Sequence, residues 1–527
     1  MKNIRYYLSL SCCITALLCI TTAQPLSAQG QLNTPAAYEL FKQRSLWMQS
    51  VNPAGAMLDH AIEFTEIGIG YRWDRGDFHL PQNGEKNNQL DIDVEGAAIL
   101  RNLYAWGKFV YNRNDVYDAR FNASIIDPLR GMPYYYADLD PSEWRMQLYE
   151  TNFRMSSMKL WDALLVGIDG KYAVASGAKQ RDMRTTNKSV EFMLRPGIVY
   201  LINPAYAVGL HFEYLNYKEE SIMDKRNAEI GQTFYEMFGL GMSRSLGSGT
   251  PVTDYKGNKV SGGLQFNMNG QAVNMVLSGG YAYYVEDAMR SLDNPEHKLT
   301  TRCNEWRGDL QLYTNRKGSP PFTHFVNGSY LLRHIDGIQY VSEAPSAQDG
   351  TLTYTVLYSS VRSTYAQSQG GLSYAIVRNR GSEYNWKAEA GVTYIDRDDH
   401  YINPESKFNA RSAIINLGAK KNFVVGQRLV NRLLVGLEAV YSNNLSGEYL
   451  FGGPNPDYPV VTELMQGNLT YLMSNYMRYN VSAFYSMKIK PELKANLIVG
   501  GTYSYVNPNS SDFNNRSILQ VKIGCNF

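Results

Sequence analysis

Cysteine is scarce: the 527-residue chain holds five, and three of them (Cys12, Cys13, Cys19) sit in the N-terminal leader, leaving Cys303 and Cys525. Two thiols cannot assemble a disulfide framework or a CxxC metal site. They read as apolar-position residues of different strands or, in an oxidising envelope, as one pair. A charge excess is missing as well. With Lys2 and Arg5 assigned to the leader, 49 basic residues face 49 acidic ones. No Lys/Arg block exists to grip a phosphate backbone, which excludes nucleic acid as a partner. Long apolar runs are absent beyond the leader, where nothing approaches the roughly 18 consecutive apolar residues of a membrane-spanning helix. The mean hydropathy of -0.35 agrees. It does not exclude a barrel, in which only every second residue meets lipid.

What is present starts with residues 1–28: Lys2 and Arg5, an apolar stretch from Leu8 to Ile20, then small residues up to Ala28. This is expected to be a secretory signal peptide cut after Ala28, with Ala23 as the second choice. Leu18 before Cys19 disfavours lipid anchoring.

From about residue 62 onward, alternation of period two dominates. Leu519, Val521, Ile523, Cys525 and Phe527 alternate with Gln520, Lys522, Gly524 and Asn526. Leu90, Ile92 and Val94 alternate with Asp91, Asp93 and Glu95, and Val208, Leu210 and Phe212 are the partners of His211 and Glu213 on their strand. A soluble sandwich also alternates. The segments, however, run about ten to fourteen residues, longer than ordinary soluble strands. Their ends gather Tyr, Trp and Phe, as girdles do, and connections alternate short with long. Short ones include Asn203-Pro204 and Asn269-Gly270; long ones are expected over 114–143, 218–258, 286–301 and 443–472. The fold class predicted is therefore all-β: a transmembrane antiparallel β-barrel of about eighteen strands, within roughly sixteen to twenty, over residues 62–527. The stretch 351–377 reads as one tall strand or as two. Before the barrel, in 29–61, Thr34 and Pro35 start a helix over 36–49 that Asn52-Pro53-Ala54-Gly55 ends. That helix either plugs the barrel mouth or packs at its rim.

The polar positions of the strands are predicted to face the lumen: Asp91, Asp93, Glu95, Lys108, Glu191, Arg195, His211, Glu213, Arg307, Asp309, Lys387, Glu389, Arg432, Glu438, Lys494 and Lys522. Facing lipid, each would cost roughly 2–4 kcal/mol at the midplane. Both signs are interleaved, so no ring selects ions of one charge. His211 and Glu213 point the same way; they form part of the ion-pair mesh in one reading and a pH gate in the other. Asp396, Asp398, Asp399 and His400 form an acidic loop cluster, read as solvated in preference to a Ca²⁺ site because EF-hand spacing is missing. Pro133-Tyr134-Tyr135-Tyr136 reads as mouth packing in preference to a glycan platform. No GxSxG or HExxH occurs, so no enzyme, cofactor or metal is expected; a barrel-borne hydrolase is the third choice.

The leader ending at Ala28-Gln29, the Asn52-Pro53-Ala54-Gly55 segment, the Tyr-rich strands and the terminal Phe527 together resemble envelope barrels of Bacteroidota, porin-like in type. Asn52 to Gly55 is also similar to an N-terminal segment of fatty-acid-channel barrels. The resemblance implies an outer-membrane location and contact with lipid. It implies an insertion signal, Leu519, Val521, Ile523 and Phe527, read by the barrel-insertion machinery. The function expected is passage of a small solute. The alternative is an accessory barrel with a filled lumen beside a TonB-dependent transporter or a surface lipoprotein. Pro196, which cannot donate to a ladder, is a candidate lateral break. A separate plug domain inside a wall of about 22 strands does not fit a chain of this length.

Overall fold

The computed structural model describes residues 32, 34–59, 62–127, 129–227, 229, 231–247, 249–291, 294–314, 321–344, 353–426, 431–489 and 495–527. The leader and Lys494 lie outside the described residues. A helical segment comes first: α1 (Pro35–Arg44), α2 (Leu46–Gln49) and a 3-10 helix (Pro53–Leu58). Strands follow: β1 (Phe64–Gly76), β2 (Lys86–Leu100), β3 (Leu103–Ala119), β4 (Tyr134–Asp138), β5 (Ser142–Ser157), β6 (Leu164–Lys179) and β7 (Arg184–Asn203). Next are β8 (Tyr206–Asp224), β9 (Phe234–Gly239), β10 (Met242–Leu246), β11 (Val252–Asn269), β12 (Val273–Arg290), β13 (Glu296–Thr314) and β14 (Phe322–Glu343). The chain ends with β15 (Thr355–Arg380), β16 (Glu383–Tyr401), β17 (Ser406–Val425), β18 (Asn431–Leu450), α3 (Gln466–Met473), β19 (Tyr476–Lys488), β20 (Asn496–Pro508) and β21 (Arg516–Asn526).

Eighteen strands form one antiparallel meander, and β21 pairs back onto β1 from Glu66↔Asn526 to Gly76↔Arg516, closing the barrel. Closure removes the unpaired edges that an open sheet would expose. The remaining three, β4, β9 and β10, make a separate small sheet in the order β10-β9-β4. Alternation sets the two faces: on β8, Val208, Leu210, Phe212 and Tyr214 are exposed while Ala207, His211 and Glu213 are buried. Apolar residues outward and polar residues inward is the pattern that hydrocarbon outside and water inside select. No described helix is long and apolar enough to cross a membrane.

The connections 101–102, 158–163, 204–205, 270–272 and 381–382 lie at one end, which also holds Phe64 and Phe527; this is the short-turn end. The connections 120–141, 225–251 and 451–475 lie at the other, the long-loop end. Three expectations need correction. The 286–301 stretch is not a long loop, since β12 and β13 are separated only by residues 291–295. Asp396 to His400 are not in a loop but in β16, where Arg397 takes Asp399 and Arg411 takes Asp396, leaving only His400 and Asp398 together. The ambiguous 351–377 stretch holds a single strand of 26 residues, Thr355–Arg380, paired with β14 apart from two register shifts and with β16 from Ser363 on.

The helix expected over 36–49 is broken in two. Thr34 Oγ1 accepts from Ala37 N–H at 3.2 Å and Pro35 opens α1, as capping rules require. Ser45 then leaves helical geometry (φ -81°, ψ 75°), and its hydroxyl donates to the Phe41 carbonyl at 2.9 Å. The break turns Trp47 onto Gly55, where a methyl group would collide with the indole ring.

Candidate functional site

The lumen and the two structures that close it are the site. At the short-turn end, residues 34–58 lie across the barrel. Ala36, Leu40, Leu46, Trp47 and Ala54 share one buried cluster with wall residues from nine strands, among them Leu165, Val199, Val276, Phe325, Val377 and Leu434. These wall residues belong to strands on opposite sides of the barrel, so the segment spans the opening as a plug.

Its two halves are held differently. The 50–58 half is seated on β5 to β8 by buried polar contacts. Arg154, nine-tenths buried, donates to the carbonyls of Trp47 (3.1 Å), Met48 (3.0 Å) and Ser50 (3.2 Å) and to both oxygens of Asp169 (2.6 and 2.7 Å). Asn52 donates to the carbonyls of Ile198 and Leu210 and to Gln265 Oε1, and accepts from Ala54 N–H at 3.0 Å. Ser156 Oγ donates to the Ala54 carbonyl at 2.6 Å. Three wall glycines make room: a methyl on Gly167 would sit 2.6 Å from Ala54 Cα, one on Gly209 2.8 Å from Asn52 Nδ2, and one on Gly197 would strike Asn52 Oδ1. Each residue of Asn52-Pro53-Ala54-Gly55 therefore has a seat. The α1 half is held by longer side chains at its edges. Glu39 accepts from Lys420 and Tyr384 (both 2.7 Å), Thr34 donates to Glu383 (3.0 Å), and Lys42 pairs with Glu95 (3.1 Å). Arg44 donates to Thr323 and Asn379. At the end of the plug, Asp59 accepts from Met48 N–H at 2.6 Å; burial pushes its carboxyl up to about 7, against the opposing pull of that N–H and of Arg154.

Above the plug, the described residues singled out in the sequence lie among the polar contacts of the wall. Lys522 bridges Glu66 (3.3 Å) and Asp93 (3.2 Å), and Asp91 accepts from Asn112 and Gln89. Glu95 takes Lys42 and the Trp106 indole N–H; Lys108 stands opposite Glu95 and Asn152 in the ladder. Glu191 pairs with Lys171 at 2.9 Å. Arg195 joins Asp169 (3.1 Å) to Glu213, which also faces Lys259 at 3.3 Å. His211 meets Gln265 Nε2 at 2.8 Å rather than Glu213, so its ring belongs to the seat of Asn52. Arg307 pairs with Asp309 (2.9 Å), Lys387 with Glu389 (2.6 Å), Arg432 with Glu383 (2.8 Å), and Glu438 accepts from Asn480 (2.7 Å). Pro196 interrupts the β7–β8 ladder only locally: pairing resumes in the same register on both sides, at Leu194↔Tyr214 and Gly197↔His211. Leu519, Val521 and Ile523 are exposed on the outer face, and Phe527 exchanges both backbone hydrogen bonds with Thr65.

The long-loop end is covered by the β4-β9-β10 sheet and the 451–475 loop. One side is fixed by polar contacts. Asp138 and Lys179 form a completely buried ion pair, and burial pushes the Asp138 carboxyl up. Arg130 grips Glu286 through Nε (3.1 Å) and a terminal nitrogen (3.0 Å). Glu219 accepts from Ser124 Oγ, Ile125 N–H and Asn187. The opposite side is aromatic: Tyr235, Tyr449 and Phe451 pack around Val460 and Leu464, and Phe408 and Tyr401 around Leu240. The Pro133–Tyr136 run is part of this cap. Tyr134 and Tyr136 are buried, Tyr134 donates to Glu236 at 2.8 Å, and burial pushes the Tyr136 phenol up to about 12. Arg154, Asp138 and Lys179 escaped sequence reading, and Asn52 was read only as a helix stop. Arg154 alone carried a signal, an arginine on the polar face close to a strand end.

Among the described residues no group of three or more His, Cys, Asp or Glu could hold a metal ion. No curated protein matches the chain. Among solved structures it is similar to the ferric preacinetobactin receptor BauA from Acinetobacter baumannii, at 9% identity and a TM-score of 0.41, covering 88% of this chain and 80% of that one. It is similar also to the siderophore receptor PiuA from Acinetobacter baumannii, at 10% and 0.40, covering 88% and 82%. The unliganded ferric citrate transporter FecA is a third, at 10% and 0.37, covering 88% and 78%. By its match over residues 53–527, the chain belongs to the family of unknown function DUF6850.

Proposed function

We propose that this protein is an outer-membrane barrel that passes a small solute and is closed at rest, with residues 34–58 as its gate on the periplasmic side. The observation that carries the reading is the two-part grip on the plug. Residues 50–58 are anchored by buried hydrogen bonds to β5–β8, whereas α1 is held by ion pairs whose members are partly exposed, such as Lys42 with Glu95 and Lys420 with Glu39. A hinge at Ser45 between a half fixed by buried hydrogen bonds and a half held by apolar packing of Ala36 and Leu40 with ion pairs at its edges is what a movable stopper needs. The interleaved charge of the wall favours a polar solute without selecting its sign. In this reading Leu519, Val521, Ile523 and Phe527 serve as the insertion signal.

A second reading is favoured by the cap. Loops packed this densely present a shaped outer surface, as an accessory barrel beside a transporter or a surface lipoprotein would need. Planar-bilayer recording separates the two. The full chain is expected to be silent and the variant lacking both 34–58 and the 451–475 loop to conduct. A deletion variant that keeps a heat-modifiable barrel yet stays silent would favour the accessory role.

A further inference from the structure

We infer that the outer mouth carries a binding site for a small organic anion with an apolar body, held by Arg290. A cavity of about 280 Å³ opens at the long-loop end between β9, β10, the start of β11 and the β12–β13 turn. Its apolar lining comes from Phe234, Leu246, Pro251 and Tyr354, and its charged lining from Arg290 and Glu296. The guanidinium is the unusual feature. Among the described residues it makes no hydrogen bond, although it carries five N–H donors. Its nearest carboxylate, Glu296, lies at 3.7 Å, beyond hydrogen-bond range. Glu296 is already engaged by Lys298 at 2.6 Å. The group of three thus carries one net positive charge, and the planar fork, in a long ion pair with Glu296 but without a hydrogen bond, keeps donors for a ligand at the edge of the cavity.

A guanidinium fork matches the two oxygens of a carboxylate or phosphate, and pairing them through parallel hydrogen bonds is stronger than a neutral contact. An inorganic ion would leave the Phe234–Leu246–Pro251 lining wet. A ligand with an aryl or alkyl body covers it, and pockets of this kind combine a mostly apolar lining with a few placed polar groups. The site does not need the plug to move, so it stands or falls separately from the gating reading.

The test is titration calorimetry of the refolded full chain in detergent with 3-phenylpropanoate, phenyl phosphate and the neutral 3-phenylpropanamide. Both anions are expected to bind at least tenfold more tightly than the amide, and the tighter of the two identifies the head group. Arg290→Gln should remove that preference while the barrel remains heat-modifiable. Glu296→Gln, which deletes the competing carboxylate, should tighten anion binding severalfold. Equal binding of amide and anions by the unaltered chain, or no binding of any of the three, would overturn the assignment without recourse to a variant.

Discussion

The barrel is closed twice, by unlike means. At the short-turn end one continuous segment crosses the lumen, and its firm half is held through its backbone: Arg154 takes three carbonyls, Asn52 is locked to two wall carbonyls, and glycines stand where side chains would intrude. At the long-loop end three remote loops meet, tied to the wall on one side by buried ion pairs and on the other by packed aromatic rings. Backbone contacts hold a segment regardless of its side chains and release it only as a unit. Side-chain contacts hold point by point. The 50–58 half of the plug is therefore built to leave or stay as a piece, and the cap to loosen loop by loop.

A matched pair of substitutions puts that contrast at greatest risk. Arg154→Met strands three carbonyls and deprives Asp169 of one partner, while Lys179→Met leaves Asp138 buried without its counter-ion. Removing one member of a buried pair is expected to cost about 3–5 kcal/mol in each case. In hydrogen exchange, Arg154→Met should strip protection from 34–58 and spare 134–138, and Lys179→Met should do the reverse. Loss of protection at both ends in either variant would show that the closures form one cooperative unit.

How much of this was legible in the sequence follows from which contacts are periodic. Wall residues announce themselves because lipid and water select alternate positions, so Lys522 and Ile523 could be sent to opposite faces by reading alone. The closures have no period. Thr34 finds Glu383 and Glu39 finds Lys420 across most of the chain, and no local pattern marks such pairs. Asn52 to Gly55 stood out as a stop signal, yet its purpose depends on Gly167, Gly197 and Gly209, each an unremarkable strand glycine until the plug lies on it. The Tyr134–Tyr136 run reads as packing, but its pairing with β9 brings together loops a hundred residues apart. Asp396 to His400 misled because an acidic string looks like a loop, while Arg397 and Arg411 neutralise two of the acids within the sheet.

A smaller perturbation sharpens the claim about backbone seating. Gly167→Ala adds one methyl against the Ala54 backbone, which cannot rotate away as a side chain would. Overpacking of this kind costs about 1–3 kcal/mol. It should raise the protease sensitivity of 50–58 without altering barrel heat-modifiability. Unchanged sensitivity would mean that the plug has slack the geometry does not suggest.

The weakest expected effect is titration of the plug. Burial holds the Asp59 carboxyl at about 7, above the ordinary carboxylate value, and the titratable groups that face it are Arg154 and the Tyr104 and Tyr313 phenols, of which only Arg154 is charged at neutral pH. A raised carboxyl favours the seated state when protonated, so seating is strongest below the unseated value near pH 4. It weakens as pH rises and levels off above about 7. Between pH 6 and 8 the loss is about 1 kcal/mol. Asp59→Asn keeps an acceptor for Met48 N–H and should flatten the pH dependence of exchange in 46–58, leaving that of the cap untouched. A slope that survives the substitution would assign the titration to another group and leave Asp59 a simple hydrogen-bond acceptor.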